Sequence, residues 1–227
     1  FGKYCYRRLR DTYMKVAVIQ FLGTNCEYDT IYAFEKLGVK AELIWHERED
    51  FKADLIILPG GFSYGDYLRC GAIAKFSPAM KTVLKHAKNG GYILGICNGF
   101  QILLELKLLK GAMKHNESLN FISKPQKLMV VSNDNVFLRH FNKNDEISIP
   151  IAHGEGNYYV DDETLKMLYD KDMILLKYID NPNGSKDDIA GICDENKKIF
   201  ALMPHPERAC DKVLGSDIGL KMLKGFL

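Results

Sequence analysis

The sequence predicts one α/β domain with a mainly parallel central sheet and additional antiparallel strands. Three observations carry this. From Met14 to about Leu109, short apolar runs alternate with amphipathic segments, the pattern of strands joined by crossover helices. After Lys110 the apolar runs shorten and come in closer succession, as antiparallel or edge strands do. With 227 residues, 47% of them hydrophobic, the chain can bury one sizeable core. No internal repeat, low-complexity tract or interdomain linker divides it.

The elements follow in order. Val16-Ala17-Val18-Ile19 is a buried strand, and Thr24-Asn25-Cys26-Glu27 has capping-box spacing before a helix that passes Phe34 and Leu37 and stops at Gly38. Strands are expected at Ala41 to Trp45 and at Leu55 to Leu58. Ser77-Pro78 opens a helix that Gly90-Gly91 ends, and the strand Tyr92 to Ile96 comes next. Beyond Lys110, strands are expected at Leu128–Val131, Ile147–Ile151, Ile174–Tyr178, Ile189–Cys193 and Ile199–Met203, with turns at Asn133-Asp134-Asn135 and Asn181-Pro182-Asn183-Gly184. A helix from Ser216 closes the chain. The Arg- and Tyr-rich residues 1–13 read as a leader or an appended extension, or else a short native one, with the domain proper over 14–227.

Composition narrows the function. A formal charge of +2 with scattered basic residues leaves no footprint for nucleic acid, and no apolar stretch has membrane-spanning length. The six cysteines are irregularly spaced without CxxC pairs, which fits a reducing cytoplasm better than a disulfide scaffold or a zinc site. A small molecule or another protein is the expected partner.

Cys97 stands where the strand Tyr92–Ile96 turns sharply into a helix through Asn98, Gly99 and Gln101. A side chain at such an elbow projects from the carboxyl edge of the sheet. The unpaired N–H groups of the following helix stabilise negative charge on its sulfur. Pro59-Gly60-Gly61-Phe62 leaves another buried strand at the same edge, so the N–H groups of Gly61 and Asn98 are candidate donors to an oxyanion. Pro204-His205-Pro206-Glu207 is extended by its prolines, which puts Glu207 on the same side as His205 and able to orient its ring. His153-Gly154-Glu155-Gly156-Asn157 reads equally as a turn or as part of a binding site. Cys5, Cys26, Cys70, Cys193 and Cys210 read as small buried hydrophobes, and His46, His86, His115 and His140 as surface residues.

Taken together, Pro59 to Asp66, the run Gly95-Ile96-Cys97-Asn98-Gly99-Phe100-Gln101, and His205-Pro206-Glu207 resemble the class I, triad-type glutamine amidotransferases. Asn98, the stretch Ala152 to Tyr158 and Met203 to Arg208 narrow the resemblance to the glutaminase subunits of phosphoribosylformylglycinamidine synthases in purine biosynthesis. The resemblance runs from about Met14 to Leu227 and implies a three-layer, flavodoxin-like fold. It also implies a catalytic triad of Cys97, His205 and Glu207, an oxyanion hole at Gly61 and Asn98, and L-glutamine held by Gln101, His153, Gly154 and Glu155. No metal or cofactor is expected on this chain. ATP and magnesium would belong to a synthetase subunit, accompanied by a small accessory subunit. The alternatives are a glutaminase for another synthase, making GMP, anthranilate or imidazole glycerol phosphate, and a non-enzymatic scaffold or stress protein on the same sheet. The stretch from His153 to Tyr158 argues against the first. Gln101 and the His205-x-Glu207 pair argue against the second.

Overall fold

The computed structural model describes residues 14–227, so the reading of 1–13 as an extension lies outside it. The first half alternates as the sequence predicts: β1 (Val16–Gln20), α1 (Glu27–Lys36), β2 (Ala41–Trp45), β3 (Leu55–Leu58), α2 (Ala79–Lys88), β4 (Tyr92–Ile96) and α3 (Asn98–Glu105). The second half contains β5 (Ala112–Lys114), β6 (Ile122–Val130), β7 (Glu146–His153), β8 (Asn157–Tyr159), α4 (Asp162–Asp170), β9 (Ile174–Tyr178), β10 (Ile189–Cys193), β11 (Ile199–Leu202) and α5 (Ile218–Leu223).

One nine-stranded sheet in the order β2-β1-β3-β4-β11-β10-β9-β6-β7 forms the middle layer. The pairs from β2 through β4 to β11 are parallel, and the remaining pairs are antiparallel. The connection β1-α1-β2 moves one way along the sheet and β3-α2-β4 the other. Right-handed crossovers running in opposite directions put α1 and α2 on opposite faces, which makes three layers. Strands β3 and β11, inside the parallel set, are apolar throughout because both faces are covered, whereas the edge strand β2 exposes Glu42 and Trp45. Leu55, Ile56, Ile57 and Leu58 are all buried.

Several expectations are corrected. Ile199 to Leu202 is not an edge or purely antiparallel strand: β11 lies between β4 and β10, parallel to β4. Its four apolar residues, all buried, read the same whichever way a strand runs, and only pairing reveals direction. The strand expected at Leu128 is the end of nine-residue β6, which contains Pro125. Proline is tolerated there because β9 pairs only with Leu128 to Val130 and leaves the other side of β6 open at Pro125. The capping box at Thr24 does not form. The Thr24 hydroxyl accepts from Phe21 N–H at 3.0 Å, and Cys26 precedes the helix without a side-chain cap. Helix α4 is an element the periodicity did not announce, although its cap is a standard one: Asp161 accepts from Thr164 N–H at 2.7 Å. His46 is buried, with Nδ1 2.8 Å from the Tyr64 hydroxyl, and His86 is half-buried with Nε2 3.1 Å from Tyr92 O. Cys70 is only partly buried and lies among carboxylates.

Gly99 shows how tightly α3 sits on the sheet, since a Cβ there would lie 1.8 Å from the Leu58 carbonyl oxygen. Gly99→Ala is therefore expected to cost about 3 kcal/mol through overpacking. In thermal unfolding of a chain this size, that lowers Tm by roughly 6–12 °C. A variant melting with the wild type would mean that α3 lifts off Leu58 freely.

Candidate active site

The register of three parallel strands builds the site. Gly95 pairs with Leu58 of β3 and with Ala201 of β11, so the segments leaving β3, β4 and β11 start level at one edge. Those segments carry the glycine turn, Cys97, and His205 with Glu207. Crevices at the carboxyl ends of parallel strands are where such folds place ligands.

Cys97 continues the ladder, its N–H donating to Leu202 O at 2.8 Å, and then adopts φ 51°, ψ −106° to enter α3. A non-glycine residue at positive φ is strained by roughly 1–3 kcal/mol, tolerated where surrounding structure fixes it. The thiol is nearly buried and lies 3.6 Å from the Ala152 carbonyl at the end of β7. His205 N–H donates to Pro150 O of the same strand at 2.8 Å, which locks the segment after β11 against β7.

The side chains of His205 and Glu207 are buried, with Nδ1 2.6 Å from Oε1. Burial opposes the imidazolium, but the Glu207 carboxylate and the sulfurs of Cys97 and Cys26 outweigh it and hold His205 well above its usual range. Its Nε2 is buried without a hydrogen-bond partner among the described residues. With Nδ1 committed to Glu207, that atom is the one left for proton transfer.

Gly61 lies at φ 137°, a conformation closed to most side chains. The turn docks on the β1–α1 loop through Phe62 N–H to Gly23 O at 3.0 Å and Cys26 N–H to Gly60 O at 3.3 Å. Neither bond uses the Gly61 N–H. Asn98 is the first residue of α3, so its N–H has no partner within the helix.

Gln101 and Glu155 meet on the other side of the elbow, Gln101 Nε2 donating to Glu155 O at 2.7 Å. Both line a cavity of about 110 Å³ with Cys70 and Arg69. His153 is buried and lines neither cavity, its ring held with Nδ1 3.0 Å from Asn116 Oδ1 and Nε2 3.5 Å from Asn183 Nδ2. Burial and the nearby His205 charge push it down to about 4, so it is a neutral post near neutral pH. Gly154 accepts from Asn116 N–H through its carbonyl at 2.9 Å. The turn residue Asn183 is fully buried and also donates to Gly156 O, so the turn signal at Asn181 to Gly184 concealed a structural amide.

Sequence reasoning missed two side chains here. Cys26 and Arg208 line a cavity of about 190 Å³ with Gly61, Phe62, Phe121 and His205, and Arg208 Nη2 is 3.1 Å from the Cys26 sulfur. Arg208 was signalled by its place beside Glu207, whereas nothing in the sequence singled out Cys26. Cys26, His205 and Glu207 bring sulfur, nitrogen and oxygen atoms within 4.8 Å of one another. The adjacent guanidinium disfavours a cation there.

The chain as a whole is similar to known proteins. Residues 13–222 match the family model described as the CobB/CobQ-like glutamine amidotransferase domain. The chain belongs to the glutamine amidotransferases of this family. As an amidotransferase it is an enzyme. It is 74% identical over 214 residues to phosphoribosylformylglycinamidine synthase subunit PurQ of Campylobacter jejuni, covering 94% of this chain and 96% of that one. The PurQ subunit of Sulfurimonas denitrificans is 58% identical over 222 residues, covering 94% and 99%. The solved structure of PurLQS from Thermotoga maritima superposes with a TM-score of 0.87 at 41% identity, covering 94% of this amidotransferase and 97% of that chain. A Thermoplasma acidophilum protein described as belonging to a GMP synthase, with TM-score 0.63 and 17% identity, shares the fold. Among the described residues no helix is long and apolar enough to cross a membrane.

Proposed function

We propose that Cys97, His205 and Glu207 are the catalytic triad through which this amidotransferase hydrolyses glutamine. The chain is the glutaminase of phosphoribosylformylglycinamidine synthesis in purine biosynthesis. The observation that supports the triad most is the convergence of three parallel-strand ends, which brings the elbow, the buried His205–Glu207 pair and the glycine turn to one edge. The Cys97 thiol passes its proton to His205 Nε2, and the sulfur attacks the carboxamide carbon of L-glutamine. The N–H groups of Gly61 and Asn98 hold the tetrahedral oxyanion. As the C–N bond breaks, His205 returns the proton to the leaving nitrogen and ammonia departs, leaving a thioester on Cys97. His205 then takes a proton from water, hydroxide displaces the sulfur, and glutamate is released. Gln101 and Glu155, which line the cavity beside the elbow, hold the substrate, and His153 and Gly154 support that segment through Asn116.

Ammonia is consumed by a synthetase subunit, which carries ATP and magnesium, with a small accessory subunit in the same cytoplasmic complex. This chain contributes no cofactor of its own. The relatives named as synthase subunits and the PurLQS structure support that assembly.

The test is selective labelling. Burial raises the Cys26, Cys193 and Cys210 thiols, and burial with the Asp66 and Glu155 carboxylates raises Cys70 further, so these four are held as unreactive thiols. A diazoketone analogue of glutamine is expected to modify Cys97 at least about tenfold faster than any of them. Peptide mapping that finds uniform labelling, or Cys26 labelled first, would remove Cys97 from the nucleophile's role.

A further inference from the structure

The two oxyanion donors of that reading belong to different segments, Gly61 to the glycine turn and Asn98 to the start of α3, and something must hold those segments in register. Asn98 reaches both. Its side chain is buried, and Oδ1 accepts from Ser63 N–H at 3.2 Å, two residues beyond Gly61. Its Nδ2 donates to Gln101 Oε1 at 2.8 Å and, at 3.4 Å, to Asp66 Oδ1. Gln101 Nε2 in turn donates to Glu155 O at 2.7 Å. The amide orientation follows from the partners, since a backbone N–H at Ser63 requires the oxygen to face it. A continuous line of amides thus crosses the site from the glycine turn through the elbow helix to the segment after β7.

The glycine turn needs such a tie. Tyr64, Gly65, Asp66 and Leu68 all lie at positive φ, from 54° to 70°. Three of these are non-glycine residues in a conformation that local sequence does not favour, so contacts from outside must hold it. Tyr64 supplies one set, its hydroxyl 2.8 Å from His46 Nδ1 and 2.7 Å from Ser77 Oγ. Those contacts fix the far side of the turn. On the side facing the nucleophile, the Ser63–Asn98 bond joins the turn directly to the residue that follows Cys97.

We propose that the Asn98 side chain is a positioning residue for the reaction, setting the glycine turn against the elbow so that the Gly61 and Asn98 N–H groups converge on one oxygen. This rests on the triad reading above and adds to it a role for the side chain of a residue whose backbone is the donor. Its effect belongs to the transition state. The oxyanion exists only after attack, whereas the nucleophile and base are placed by β4 and β11.

The experiment uses the chain assembled with its synthetase subunits and two variants, Asn98→Ala and Asn98→Leu. Leucine preserves the packed volume and removes every hydrogen bond. Both are expected to lower kcat for glutamine-dependent synthesis about a hundredfold, the size of effect that a misplaced or missing oxyanion donor produces. KM for glutamine should move less than about tenfold, because uniform binding changes little. Alkylation of Cys97 by iodoacetamide, a displacement that forms no oxyanion, should keep its wild-type rate. Synthesis from added ammonia should also be unchanged, which controls for folding and assembly. A wild-type kcat in Asn98→Leu would overturn the proposal, because the residue would then act by volume alone. Loss of iodoacetamide reactivity in step with kcat would also overturn it, by showing that Asn98 supports the nucleophile. Failure of wild-type protein to use glutamine at all would overturn the triad reading itself, and this proposal with it.

Discussion

Cys97→Ser is expected to abolish glutamine-dependent synthesis by the assembled synthase, a loss of at least about a thousandfold, since the members of a nucleophilic triad act as a unit. Synthesis from added ammonia should stay within about twofold of wild type, because the proposed function puts amide hydrolysis and amidine formation at separate sites. The thiol is nearly buried at the start of α3, and a hydroxyl fits the same space. The substitution therefore tests chemistry without a cavity. Cys26 also approaches His205 and Glu207, but it sits beside Arg208 rather than at the elbow, and burial raises its thiol. Both activities should be measured on one preparation. Equal loss of the two would mean that Cys97 holds the fold or the interface together.

Glu207→Gln should reduce glutamine hydrolysis by roughly a thousand- to ten-thousandfold, the cost of giving a triad histidine the wrong tautomer. The carboxylate oxygen 2.6 Å from His205 Nδ1 requires a proton on that nitrogen, which leaves Nε2 free to accept from Cys97. An amide in its place can donate to Nδ1 and leave the proton on Nε2. It also removes the charge that holds His205 well above its usual range against the opposing effect of burial. The exchange conserves volume, and Asn98-dependent positioning of the glycine turn is untouched. KM should change little while kcat falls. Activity within about tenfold of wild type would show that another group orients the ring.

The parts of this site that were legible in the sequence are those encoded by neighbours along the chain. The elbow could be read because Tyr92 to Ile96 and Asn98 to Glu105 declare strand and helix on either side of one cysteine. The His205–Glu207 pair could be read because prolines restrict the backbone around it, and the glycine turn because it leaves a four-residue buried strand. What stayed hidden depended on partners far away in sequence. His46 reads as a polar residue in a polar stretch, and only the fold brings Tyr64 and Ser77 around it. Cys26 looks like any small hydrophobe until β11 delivers His205 and Arg208 beside it.

By itself, then, the sequence determined the fold class and the crossover half of the sheet, and it singled out Cys97, His205 and Glu207 as candidates, because local periodicity, turn chemistry and residue spacing act over a few residues. The tertiary structure alone decided that β11 runs parallel to β4. That pairing spans more than a hundred positions, and a short run of buried apolar residues carries no mark of strand direction. The same holds for the Ser63–Asn98–Gln101–Glu155 line, whose links join residues 35, 3 and 54 positions apart. Hydrogen bonds between distant segments leave no period in a sequence, so the tie between the glycine turn and the elbow became visible only once the chain had closed on itself.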